Sequence, residues 1–226
     1  METPVANPWG IVFLYCPKCE EERLAMIEEE NARKREARLI RDIPPHYRDA
    51  DLRQFDPAVI APVLKWAENP SGFLYVTGKV GAGKTHLACA VKKKLNADGR
   101  VSSLVFSADM FLALHKSFNS KKNAKADKAD EDVIIKKYAP DSGGDIAIFD
   151  DVGAQKVSDY TTDAWYKIID RRYRNNSPTM FTTNLSPEEL DLRLGDRIIS
   201  RIVSGTVFNF PGDDRRIKKH WTEKYD

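Results

Sequence analysis

The sequence predicts an open α/β fold, a parallel sheet of five strands crossed by helices, preceded by a small polar arm. Three observations predict it. From residue 73 onward, short apolar runs alternate with helix-length segments, as a parallel sheet with crossover connections requires. One run, Phe73-Leu74-Tyr75-Val76-Thr77, passes through a glycine-rich turn straight into a helix-competent segment, His86 to Leu95. The first 42 residues differ in composition from all that follows, being Pro-punctuated and then densely charged.

The bulk numbers set bounds. A chain of 226 residues holds one α/β domain plus an appendage and needs no disulfides to build a core. With 42% hydrophobic and 31% charged residues it reads as a globular protein with a wet surface. A formal charge of +2 excludes a globally basic nucleic-acid binder, so any such site is a local patch. The three cysteines are an odd number, which argues against a secreted disulfide framework and for a reducing, cytoplasmic setting. The start, Met-Glu-Thr-Pro, lacks a basic targeting region, and the early apolar run Trp9 to Tyr15 is too short to span a bilayer.

In chain order, Cys16-Pro17-Lys18-Cys19 closes the first segment. From Glu20 to Asp42 a helix is expected, because Glu29/Arg33 and Glu30/Lys34 stand four apart with the acid first. It has almost no apolar face over residues 28–38, so it is read as solvent-facing or partner-binding, and Pro44-Pro45 stops it. Residues 1–42 thus form an arm and 43–226 the main domain. Strands are expected at 73–77, 101–106, 145–149, 178–182 and 205–210, with helices near 84–97, 108–118, 158–175 and 186–203. Ser186-Pro187-Glu188-Glu189 carries a capping box with Pro at the first helical position. The polar stretch Asn119 to Asp132 reads as a mobile surface loop or, alternatively, a DNA-facing one.

The turn itself, Gly78-Lys79-Val80-Gly81-Ala82-Gly83-Lys84-Thr85, is a complete phosphate-binding loop in the context its chemistry needs. Its glycines let successive N–H groups point at phosphate oxygens, and the following helix adds its positive dipole end. These residues with His86 form the expected ATP site; Lys84 reaches the β- and γ-phosphates and the Thr85 hydroxyl meets Mg²⁺. Ile146-Ala147-Ile148-Phe149 then delivers Asp150-Asp151. Asp150 suits the magnesium shell, which takes hard oxygen ligands, and Asp151 suits orienting the attacking water. Thr182-Thr183-Asn184 ends a neighbouring strand on the side where open α/β sheets bind ligands. Arg197 and Arg201 share one helix face.

Taken together, Gly78–Thr85, Asp150-Asp151-Val152-Gly153-Ala154, Thr182-Thr183-Asn184 and Leu194-Gly195-Asp196-Arg197 through Ser200-Arg201-Ile202 resemble the DnaC/DnaI-type AAA+ helicase loaders of bacteria and phages. Their relatives, the IstB-type transposition ATPases, share the pattern. The resemblance covers roughly residues 43–217 and includes Pro44–Ala50, Gly83–Ala88 and Asp170-Arg171-Arg172-Tyr173. It implies a P-loop NTPase of the ASCE/AAA+ type with five parallel strands, ATP-dependent self-assembly, single-stranded DNA binding and delivery of a replicative helicase. It also implies that Asn184 is the first sensor and Arg201 an arginine finger. The helices after the second strand contact DNA in that family, and this region holds Phe106, Phe111, His115, Lys116, Phe118, Lys121 and Lys122.

Where most AAA+ ATPases place Glu after the metal-binding Asp, this chain has Asp151, which implies slow, switch-like hydrolysis. No separate helical lid is read after residue 210, so the resemblance extends no second-sensor role to Arg215 or Arg216. Loaders of this type often carry a zinc module. Cys16 and Cys19 have its spacing but supply only two of four ligands, leaving His46 or a second chain to complete a Zn²⁺ site. The rival readings are a transposition helper acting on duplex DNA, a non-hydrolysing ATP-gated adaptor, and a small-molecule kinase. The kinase has no use for Asn184 or the Arg197/Arg201 helix.

Overall fold

A computed structural model describes residues 3–7, 10–14, 17–41, 43–122, 129–142, 144–155 and 158–214. The chain divides into two compact units, Met1–Asp42 and Ile43–Asp226. In the first, β1 (Thr3–Asn7) and β2 (Gly10–Leu14) pair antiparallel with Asn7 opposite Gly10, and α1 runs Pro17–Arg41. The early apolar run thus contributes a hairpin strand. The expected four-residue pairs form on α1, Glu29–Arg33 at 3.2 Å and Glu30–Lys34 at 2.7 Å. Leu24, Met26 and Ile27 are exposed on the same helix.

The second unit opens with two single-turn 3₁₀ helices, Pro45–Tyr47 and Leu52–Gln54, followed by α2 (Ala61–Glu68). A five-stranded, all-parallel sheet follows: β3 (Phe73–Thr77), β4 (Ser102–Phe106), β5 (Ile146–Asp150), β6 (Thr179–Thr183) and β7 (Thr206–Asn209). Its spatial order is β4-β5-β6-β3-β7. Registers such as Phe73↔Thr179 and Ser102↔Ile146 align the strand ends, so Thr77, Asp150 and Thr183 reach one edge together.

Crossover helices cover both faces: α3 (Lys84–Ala97), α4 (Ser107–Lys122), α5 (Ala129–Tyr138), α6 (Asp159–Arg174), α7 (Pro187–Leu194) and α8 (Asp196–Ile202). Strand alternation assigns the two cores. Phe73, Tyr75, Phe149 and Phe181 turn one way and pack with Trp165, Ile168 and Ile198 from α6 and α8. Leu74, Val76, Ile148 and Met180 turn the other way onto Leu87, Val91 and Leu95 of α3. Phe149 stacks on Phe181 at 5.7 Å and tilts against Trp165 at 5.3 Å, an arrangement favourable for aromatic quadrupoles.

Two expectations need correcting. The single helix over 186–203 is two, because Gly195 at φ 88° ends α7 and caps α8, a backbone state that few other residues tolerate. The stretch 119–132 is not one loop: α4 continues through Lys122 and α5 begins at Ala129, while 123–128 lie outside the described residues. The second helix forms because Ile134, Ile135 and Tyr138 lie on one face against the core, with Asp132 near its positive end.

Buried Arg172 fastens the strand starts. Its guanidinium donates to Thr179 Oγ1 (2.8 Å), the carbonyls of Tyr138 (2.9 Å), Asp145 (2.8 Å) and Pro178 (3.2 Å), and Asp145 Oδ2 (3.0 Å). A buried charge is tolerated only when paired and hydrogen-bonded in this way. The fold therefore fixes β5 and β6 at their beginnings while their ends build the site.

Candidate nucleotide-binding site

The loop leaves β3 after Thr77 and needs left-handed backbone at Gly81 (φ 74°) and Gly83 (φ 108°), the latter capping α3. A side chain at Gly78 would strike the carbonyl of Phe210, so close approach also demands glycine there. Lys84 is almost fully buried and donates to the carbonyls of Gly78 and Lys79, both at 2.7 Å, which folds the loop around its own lysine.

Thr85 Oγ1 donates to Asp150 Oδ2 at 2.9 Å, and Thr182 Oγ1 donates to Asp150 Oδ1 at 2.5 Å. Asp150 is 2% exposed. Burial raises its carboxyl above the ordinary range; the Thr182 and Thr85 hydroxyls act against this, Asp151 reinforces it and Lys84 opposes it. Burial, with the Asp150 charge second, also pushes the Cys89 thiol up to about 12, so that cysteine is an inert packing residue.

Asp151 sits at φ 56°, a strained state for a non-glycine residue. Its N–H donates to Thr182 Oγ1 at 3.1 Å, and Asn184 Nδ2 donates to its carboxylate at 3.0 Å. Thr182 therefore grips both acids. Sequence reasoning singled out Asn184 and passed over Thr182; the available signal was a threonine one register before the strand end, facing its neighbour's carboxylate.

A cavity of about 520 Å³ joins these parts, lined by His46, Tyr47, Gln54, Phe55, Val80, Gly81, Gly83, Lys84, Thr85, His86, Asp151, Thr182 and Asn184. The segment before β3 was not expected to contribute. Gln54 Oε1 accepts from Asp51 N and its amide donates to the Asp49 carbonyl, which fixes the amide orientation. His86 Nε2, 2.5 Å from that same oxygen, must then carry the proton. Tyr47 and Phe55 pack against the His86 ring at 6.3 and 5.7 Å.

Other expected residues fall elsewhere. Arg201 lies outside this cavity, its guanidinium 3.0 Å from Asp170 and over the Tyr166 ring at 5.1 Å. Lys116 is exposed on α4, whereas Phe111 is core, 6.4 Å from Trp165, and so cannot stack on bases. The side chains of Lys121, Lys122 and Cys19, and residues Cys16, Arg215 and Arg216, lie outside the described set. Among the described residues no group of three or more candidate ligands could hold a metal ion, and no helix is long and apolar enough to cross a membrane. The Thr85 hydroxyl and the Asp150 carboxylate nonetheless fit Mg²⁺ held mainly by nucleotide phosphates and water, the usual way this ion is bound.

A phosphate loop at the end of a central strand, faced by acids from the strand two places away, gives the chain a P-loop NTPase fold of the AAA+ type. The chain belongs to the IstB-like ATP-binding protein family, whose profile matches residues 26–208. It is 28% identical over 153 residues to the replicative helicase loader DnaC of Escherichia coli K12, covering 66% of this chain and 58% of that one. Against DnaC of Buchnera aphidicola subsp. Baizongia pistaciae it is 30% identical over 158 residues, 69% of this chain and 61% of the relative. The matches thus span about three fifths of those relatives' length. Among solved structures, DnaI superposes with a TM-score of 0.58 at 24% identity, covering 77% of this chain and 94% of DnaI. The replication initiator DnaA bound to AMPPCP and single-stranded DNA gives 0.61 at 20% identity, covering 80% and 56%.

Proposed function

We propose that this protein hydrolyses ATP slowly and uses the cycle to deliver a replicative helicase to single-stranded DNA. The observation that carries the ATPase reading is the arrangement Thr85–Asp150–Thr182 beside Asp151–Asn184. The loop amides and Lys84 hold the β- and γ-phosphates, and Thr85 with Asp150 would hold Mg²⁺, which would supply neutralising charge to the phosphates. Tyr47, Phe55 and His86 flank the base. Asp151, steadied by Asn184, orients a water and accepts its proton as the water oxygen bonds to the γ-phosphorus and the bond to the β-phosphate oxygen breaks. With one methylene fewer than Glu, Asp151 reaches less far, which accounts for slow turnover.

Arg201, outside its own chain's cavity, acts across an assembly interface on a neighbour's ATP. Lys116, Lys121 and Lys122 meet the phosphates of single-stranded DNA. The arm, residues 1–42, docks the helicase through the exposed Leu24, Met26 and Ile27, and Cys16 with Cys19 supplies half of a Zn²⁺ site that orders it. Likeness to DnaC supports the helicase partner. The IstB family match favours a second reading, a transposition helper that binds duplex DNA.

Pull-down from the source cell, with and without ATP, separates them. A replicative helicase captured by the full chain and lost on truncation before Ile43 supports loading. A transposase in its place, with preference for duplex DNA, supports the second reading. ATP binding without turnover, even with partner and DNA present, replaces both with an ATP-gated adaptor.

A further inference from the structure

Beyond β7 the chain does not leave the site. Phe210 N–H donates to the Thr77 carbonyl at 2.7 Å, and the Phe210 carbonyl lies against Gly78. Gly212, at φ 131°, passes Ala82. Asp213 Oδ1 is 3.0 Å from Lys79 Nζ. The Asp214 carboxylate rests on Gly81, so that a side chain added there would collide with both of its oxygens. One strap of chain therefore follows the phosphate loop from Gly78 to Ala82 and sets two carboxylates on it.

Loops of this kind select anions because their N–H groups and lysines concentrate positive charge. A carboxylate is an anion too, and Asp213 already takes the Lys79 ammonium. A triphosphate entering the same loop meets two negative charges close to its γ-end and competes for the same positive partners. We propose that Phe210–Asp214 is an acidic strap whose carboxylates compete with the nucleotide's phosphates for the loop, so that ATP binding displaces it. This rests on the reading of Gly78–Thr85 as the nucleotide site.

The test is equilibrium binding of ATP, ADP and AMP to the full chain, comparing wild type with Asp213→Asn/Asp214→Asn. Asn keeps the shape and removes the charge, and a melting curve checks folding. ATP should bind about tenfold more tightly to the variant, the order expected for removing like charges at a partly exposed, screened site. ADP should gain less and AMP nothing, because competition grows with phosphates on the loop. The variant's gain for ATP over wild type should shrink with added salt. Unchanged or weaker ATP binding would show that the carboxylates brace the loop, and an equal gain for all three nucleotides would show general loosening; either overturns the strap. If neither protein binds ATP, the nucleotide-site reading fails and the strap falls with it.

Discussion

Replacing Asp150 by Asn should stabilise the protein while disabling the proposed magnesium site. In this structure Asp150 is 2% exposed and receives hydrogen bonds from Thr85 and Thr182. Burying an ion costs several kcal/mol, and two bonds to a charged acceptor return about 1.5–3 kcal/mol each, leaving a residual penalty on the order of 1–2 kcal/mol. The raised carboxyl agrees in sign. Because its folded-state pKa lies above the unfolded value, this group destabilises the fold at pH above the folded pKa, and the penalty vanishes below the unfolded pKa. Asn removes that penalty and its pH dependence. At neutral pH without Mg–ATP the variant should melt higher by about 2–8 °C, using about 2–4 °C per kcal/mol for a domain of this size. Wild type should gain about 2.7 kcal/mol from Mg–ATP at a hundredfold excess over its Kd, and the variant far less. Magnesium-dependent binding to wild type should weaken as pH falls through the raised pKa, since the proton competes with the metal. Thermal melts with and without Mg–ATP, across pH, read all of this. A variant that melts lower than wild type without Mg–ATP, or gains as much from it, refutes the reasoning.

Asp151→Asn should lower turnover at least about tenfold with little change in ATP affinity, the usual scale for losing a general base; steady-state hydrolysis and binding measure the split. Mixing a Lys84 variant with Arg201→Ala should restore part of the activity if Arg201 serves a neighbouring subunit, and failure at every ratio with normal assembly counts against it. Arg172→Ala should cost about 3–5 kcal/mol in urea unfolding, because it takes the cation from the Asp145 carboxylate and the donor from the Tyr138 and Asp145 carbonyls.

The sheet was legible because its strands are short apolar runs in a simple alternation, and the observed strands begin and end within a residue or two of the expected ones. The loop was legible because its chemistry is contiguous: eight neighbouring residues carry the glycines, the lysine and the hydroxyl. The rest of the cavity was not, because it is assembled from distant segments. Tyr47, Gln54 and Phe55 reach it only once the chain before β3 folds beside α3. Thr182 was placed at the ligand-binding end of its strand but given no role of its own, because only the pairing of β6 with β5 brings its hydroxyl to Asp150. The acids at 213 and 214 drew no expectation, since nothing local says that β7 returns the chain to the loop. The break at Gly195 was readable in principle, but the apolar spacing of Leu194, Ile198 and Ile202 runs across it and hides it.

Direct titration of ATP, with and without magnesium, into wild type and Lys84→Ala tests the central claim. Lys84 is the buried cation around which the loop folds. Wild type should bind ATP with a magnesium-dependent gain, and a folded Lys84→Ala variant should show no binding at micromolar nucleotide. Equal affinity in the two proteins, with the variant's fold intact, would contradict the account at its base.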